Sequence, residues 1–227
     1  MNPSFAETVI DENWYRGRAA AMQHLLATIS QELRREAFTP EFLEDAEVSS
    51  KLWDLALFFL NEMNSCLAGV AVFGANVMGA AALETVLLLA CLKYRSKVAA
   101  TARWKKVDNG KSVIGFSSRL ASNRVGLAVL FDIAKELEWL PLEGMSPRFR
   151  MKLAAMAGEE KIVAIEGGIP DVVGVSWIAI IFSTGVRNAV HPGRNIHLPL
   201  SDIKFMGMLS TMMTLVVLGI LLEVTSL

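Results

Sequence analysis

The chain has 227 residues, of which 53% are hydrophobic and 20% charged, with a formal net charge of -1. That length and apolar content supply a core that needs no disulfide or metal, and they exclude a disordered or strongly polyionic chain. Cys66 and Cys91 both lie in apolar runs, where a thiol packs as a small hydrophobe; the expectation is a reducing, cytoplasmic setting without a cysteine metal site.

In chain order, the N-terminus "MNPSFAETVIDENW" carries acids where a secretory signal needs a basic and then an apolar segment, so no signal is expected. Apolar spacing predicts a helix over 13–37, and Thr39-Pro40-Glu41 is a start signal for a second over 40–62. Residues 1–62 hold 11 acids against 5 bases. Residues 1–60 therefore read as an acidic helical extension that covers the core or holds a protein partner, and 61–227 as the main helical domain.

The third helix is predicted over 66–97, and Glu84 is the only charged residue between 63 and 92. A carboxylate in such a helix needs a cation or a proton, and Arg187 and Arg103 are the candidate partners. Residues 93–124 then reverse the charge, with 9 bases against Asp108 alone. Arg103, Lys105, Lys106, Arg119 and Arg124 are candidate RNA-binding residues on this stretch. "RWKK", residues 103–106, interleaves Trp104 with cations, as nucleic-acid surfaces do; a solvated helix end with one anchoring aromatic is the ordinary alternative.

Asp108-Asn109-Gly110 marks a turn, and further helices are predicted over 117–138, 147–157, 171–190 and 201–223. Period-two alternation is scarce, so the fold class is all-α, a helical bundle. Residues 63–83 and 205–222 are free of charge and approach the length of a membrane span. No aromatic belt or cation cluster frames the second run on both sides, and both are read as buried core helices.

"FSTGVRNAVHPGR", residues 182–194, ends the sixth predicted helix. Steps of three and four place Ser183, Thr184, Arg187, Asn188 and His191 on one stripe, and Pro192 stops the helix at the imidazole. These residue types suit phosphodiester cleavage without a metal. The histidine moves a proton near neutral pH, the arginine fork holds phosphate, and the amide orients one of them. In the ordinary structural role, Arg187 pairs with a buried acid and Asn188 caps the helix. His191 and His197 have no acid or cysteine nearby to complete a metal set, so neither a metal nor another cofactor is expected. "EGGIP", residues 166–170, lacks the lysine and spacing of a P-loop and reads as a turn.

"VRNAVHPGR" resembles the Arg-Asn-x-x-His-Pro signature of HEPN-like helical proteins. "VMGAAALETVLLLACL" resembles that family's early core helix, and "LFDIAKELEWLP" resembles its middle "AKELGxLP" segment. The resemblance spans roughly residues 65–225. It implies a helical bundle, often a homodimer, of a family in which many members are endoribonucleases of toxin-antitoxin and antiviral defence systems. Arg187 would then bind phosphate, His191 would transfer the proton and Asn188 would be the polar residue beside them, with Glu84 as a candidate support. The spacing of Arg187 and His191 is shorter than in the family's nuclease form. The alternative function is a non-catalytic interaction module that docks an antitoxin or other protein through the acidic N-terminal arm or the apolar C-terminal helix. A membrane-associated helical protein is the third.

Overall fold

The structure is a computed structural model, and it describes residues 12–35, 45–108, 115–120, 125–140, 151 and 200–225. All regular structure among the described residues is helical, as the periodicity predicts. The elements are α1 (Glu12–Arg35), α2 (Ala46–Ala68), α3 (Val72–Lys93), α4 (Arg95–Ala100), α5 (Ala102–Asp108), α6 (Phe116–Leu120), α7 (Leu127–Glu136) and α8 (Leu200–Thr225). The predicted helices over 147–157 and 171–190 lie outside the described residues, apart from Met151.

α1 buries Tyr15, Ala19, Met22, Leu26, Ile29 and Leu33, and α2 buries Ser49, Trp53, Ala56, Leu60, Met63 and Leu67. Both sets follow alternating steps of four and three, the spacing that keeps one seam against a neighbouring helix. Gln23 Nε2 donates to Asn64 Oδ1 across the pair at 3.2 Å. The expected division near residue 60 thus coincides with no break in the chain. It falls within α2, at fully buried Leu60.

α2 and α3 form an antiparallel hairpin, and the helix predicted to start at residue 66 starts at Val72 instead. Ala71 N–H donates to Cys66 O at 2.7 Å and Val70 N–H to Leu67 O at 3.0 Å, the two bonds of a Schellman motif. Its left-handed position is taken by Val70, with φ +54°, while Gly69 sits one residue early. The lack of charge across this turn conceals the break.

α3 is buried on most sides, and α8 packs along it in parallel. Val72 meets Gly207, Asn76 meets Ser210, Gly79 meets Thr214, and Tyr94 OH donates to Thr225 O at 2.9 Å. Small residues bring the axes close: a methyl added at Gly79 would lie 3.0 Å from Thr214 Cγ2, and one at Gly207 would lie 3.0 Å from Val72 Cγ1. The polar side chains in this interface bond across it or back to their own helix, while Asn76 Nδ2 is buried with no hydrogen-bond partner among the described residues. Ser210 Oγ donates to Asn76 Oδ1 at 2.9 Å, and the Thr211 and Thr214 hydroxyls each donate to the carbonyl four residues back. α3 is long and apolar enough to cross a membrane, and 72% of its most apolar window is buried inside the bundle.

The predicted 117–138 helix divides into α6 and α7, because extended backbone at Gly126 starts α7 afresh and its carbonyl accepts from Val129 and Leu130. α7 packs on α3 and ends in a second Schellman motif. Trp139 N–H donates to Ala134 O at 2.9 Å, Glu138 N–H donates to Lys135 O, and Glu138 stands at φ +57°.

Candidate functional site

The basic stretch is built on α4, α5 and α6. Thr101 is the N-cap of α5, and its hydroxyl accepts from Trp104 N–H at 3.1 Å. The Glu136 carboxylate of α7 accepts from the other two first-turn amides, Ala102 at 2.7 Å and Arg103 at 2.9 Å. Three free amides of a short helix are thereby satisfied, two of them by a negative charge placed at the positive end of the helix dipole.

Trp104 is 4% exposed and lies 4.5 Å from the Phe116 ring, centroid to centroid. It anchors α5 to the bundle and offers no face on which a base could stack. The steps of three and four that bury Trp104 leave Ala102, Lys105 and Lys106 on the solvent side.

The arginines behave differently from these lysines. Arg103 Nε lies 3.1 Å from Asp132 Oδ2 of α7. Arg119, expected at a surface, is 7% exposed, with its Nε 3.7 Å from Asp108 Oδ1. Arg95 reaches Asp45 at 3.4 Å, and its guanidinium lies over the Phe116 ring. Charge counted along the sequence therefore overstates the free cationic surface, because three arginines within 93–124 face carboxylates from α5, α7 and the start of α2. Lys97 lies over Tyr94, whose ring also packs on Trp139.

Glu84 lies on the less buried stripe of α3 with Val77, Ala81 and Leu88. Burial raises its carboxyl above the ordinary value near 4.5. Arg103, one of its two expected partners, faces Asp132 instead. Burial also raises both thiols, Cys91 in the core and Cys66 beside Glu62, which makes them poor nucleophiles.

Arg187, Asn188, His191 and Arg124 lie outside the described residues, as do His197 and "EGGIP". Among the described residues, no group of histidine, cysteine and carboxylate side chains is placed to hold a metal ion. No family model, curated protein or solved structure matches the chain.

Two of the segments that carry the resemblance are described. "VMGAAALETVLLLACL" is most of α3, and "LFDIAKELEWLP" covers α7 from Leu130 onward and the turn after it, apart from its last residue. They pack against each other. Within the second, Asp132 faces Arg103, Glu136 caps α5, and Glu138 holds the left-handed position where the segment it resembles has glycine.

Proposed function

We propose that this chain is a HEPN-like helical-bundle protein that engages RNA, with Arg187, Asn188 and His191 as the set that cleaves it without a metal. The observation that carries the reading is the sequence Arg187-Asn188-Ala189-Val190-His191-Pro192, which ends an apolar helical pattern. Supporting it, the two other resembling segments form a core helix and its packed neighbour, in the expected chain order.

His191 would accept the ribose 2'-hydroxyl proton or return a proton to the leaving oxygen. Arg187 would hold the phosphate and stabilise the charge that gathers on it. Internal attack of the 2'-oxygen on phosphorus expels the 5'-oxygen and leaves a cyclic phosphate. A homodimer would bring two copies of the set together, and an antitoxin would be the controlling partner in a defence system of that kind.

Lys105 and Lys106 supply the long-range part of this reading. They are exposed on a helix end that is fixed at Thr101, Trp104 and Glu136. With Trp104 buried, this surface contacts phosphates and does not read bases, so binding there is indifferent to sequence and sensitive to salt. Affinity of the full chain for a single-stranded RNA, measured across a salt series, tests it. Lys105→Glu with Lys106→Glu is expected to lower the log–log salt slope by about 1 to 2, given roughly 0.7 per single-strand phosphate contact. An affinity independent of salt, or unchanged in both this variant and Arg187→Ala, would contradict the proposal.

A further inference from the structure

α2 carries a second seam beside the one it buries. Val48, Leu52, Leu55, Phe59, Glu62 and Cys66 repeat the same alternating steps of four and three, one residue behind the inward set. Val48, Leu52, Phe59 and Cys66 are half-buried against the core, but Leu55 is 44% exposed and Phe58, beside the seam, is 53% exposed. The Phe58 ring is held in place by an edge contact with Phe59 at 5.5 Å between centroids. A preformed apolar ridge therefore runs along the middle of a long helix, with the periodicity that receives another helix.

Its charges are one-sided. Glu47 pairs with Lys51 at 2.6 Å at the start of the helix and Asp45 faces Arg95, which leaves Asp54 and Glu62, both exposed, on either side of Leu55 and Phe58. Asp54, Phe58 and Glu62 are four residues apart and share one stripe. An occupant that covers the apolar surface and brings cations to both carboxylates complements it.

We propose that the outer seam of α2 docks a basic amphipathic helix of a partner protein, with Leu55 and Phe58 as the apolar anchors and Asp54 and Glu62 as the charges that set its chemistry. This surface is separate from α5, and its occupancy is independent of whether the chain cleaves RNA.

The test uses the full chain and three fluorescein-labelled peptides of equal length. One has leucines at alternating steps of three and four among lysines, one has the same leucines among glutamates, and one has the lysine composition with the leucines scrambled. Anisotropy is expected to show the first binding at least tenfold tighter than either control. Phe58→Ser and Leu55→Ser should each weaken it at least fivefold, while Asp54→Asn with Glu62→Gln should greatly reduce its salt dependence. Lys105→Glu with Lys106→Glu should leave it unchanged. All these positions are exposed, so unchanged thermal melts and circular dichroism show that the variants fold. The proposal is overturned if the scrambled peptide binds equally well or if Phe58→Ser leaves affinity intact. It is equally overturned if sedimentation velocity shows a dimer that Phe58→Ser dissociates, which would make a second copy the occupant, or if neutral phosphatidylcholine vesicles bind the ridge instead.

Discussion

Glu138 and Val70 stand in left-handed backbone, which costs an L-residue about 1 to 2 kcal/mol and a glycine almost nothing. Glu138 is exposed, so its replacement by glycine removes the strain without loss of packing; Glu138→Gly is expected to stabilise the fold by about 1 kcal/mol in denaturant unfolding. Val70 is half-buried against the core, and Val70→Gly should gain less because apolar contact is lost with the strain. Equal or lower stability of Glu138→Gly would show that residue 138 is not held in that conformation.

Glu84 makes a pH prediction whose sign follows from burial. Its folded-state carboxyl is raised above about 4.5, so the folded chain binds the proton more tightly than the unfolded one. The stability it contributes is present below that value and is lost as pH rises through the folded-state value. Glu84→Gln should therefore flatten the decline in stability above about pH 4.5 and leave the chain more stable at pH 7 than wild type. A larger decline in the variant would mean that the charged carboxylate has a stabilising partner.

Among the elements, the length and apolar pattern of α1, α2, α3 and α8 made them legible in the sequence, because each buries a seam or a whole surface, although α2 continues past its predicted end at residue 62 to Ala68. The breaks between elements were less legible. Gly69 is an available stop signal, but the apolar run passes over it and the left-handed residue is a valine. α5 was not predicted, because seven residues carry too little periodicity, and what holds it comes from Thr101 and from Glu136, more than thirty residues away. Glu136→Gln retains the shape but weakens the cap, and should cost about 0.5 to 1 kcal/mol and speed hydrogen exchange at the Ala102 and Arg103 amides. Exchange unchanged at both would contradict that role. Where α3 meets α8, Gly79→Ala should destabilise by about 1 to 3 kcal/mol, because the added methyl meets branched Thr214 at 3.0 Å and Met63 at 3.2 Å. Thr214→Ser in the same chain should recover part of the loss.

At the scale of the whole molecule, charge-free runs that resemble membrane spans build the shared interior of a bundle. Among its described side chains, α8 turns most of its middle and C-terminal half into the core, whereas the N-terminal half of the chain keeps an exposed ridge on α2. The basic stretch was legible as a count of charges, but not as a surface. Arg119 and Arg103 face Asp108 and Asp132, and only the three-dimensional arrangement separates them from the solvent-facing Lys105 and Lys106. The proposed set of Arg187, Asn188 and His191 lies outside the described residues and rests on the sequence alone.

Metal-independent cleavage is tested most directly by incubating total RNA in EDTA with wild type, Arg187→Ala and His191→Ala and identifying the new ends. Wild type is expected to give fragments with cyclic phosphate and 5'-hydroxyl termini, with at least a hundredfold loss of cleavage in both variants, the scale of a missing proton-transfer group. Intact RNA with wild type, or cleavage that survives in His191→Ala, would contradict it.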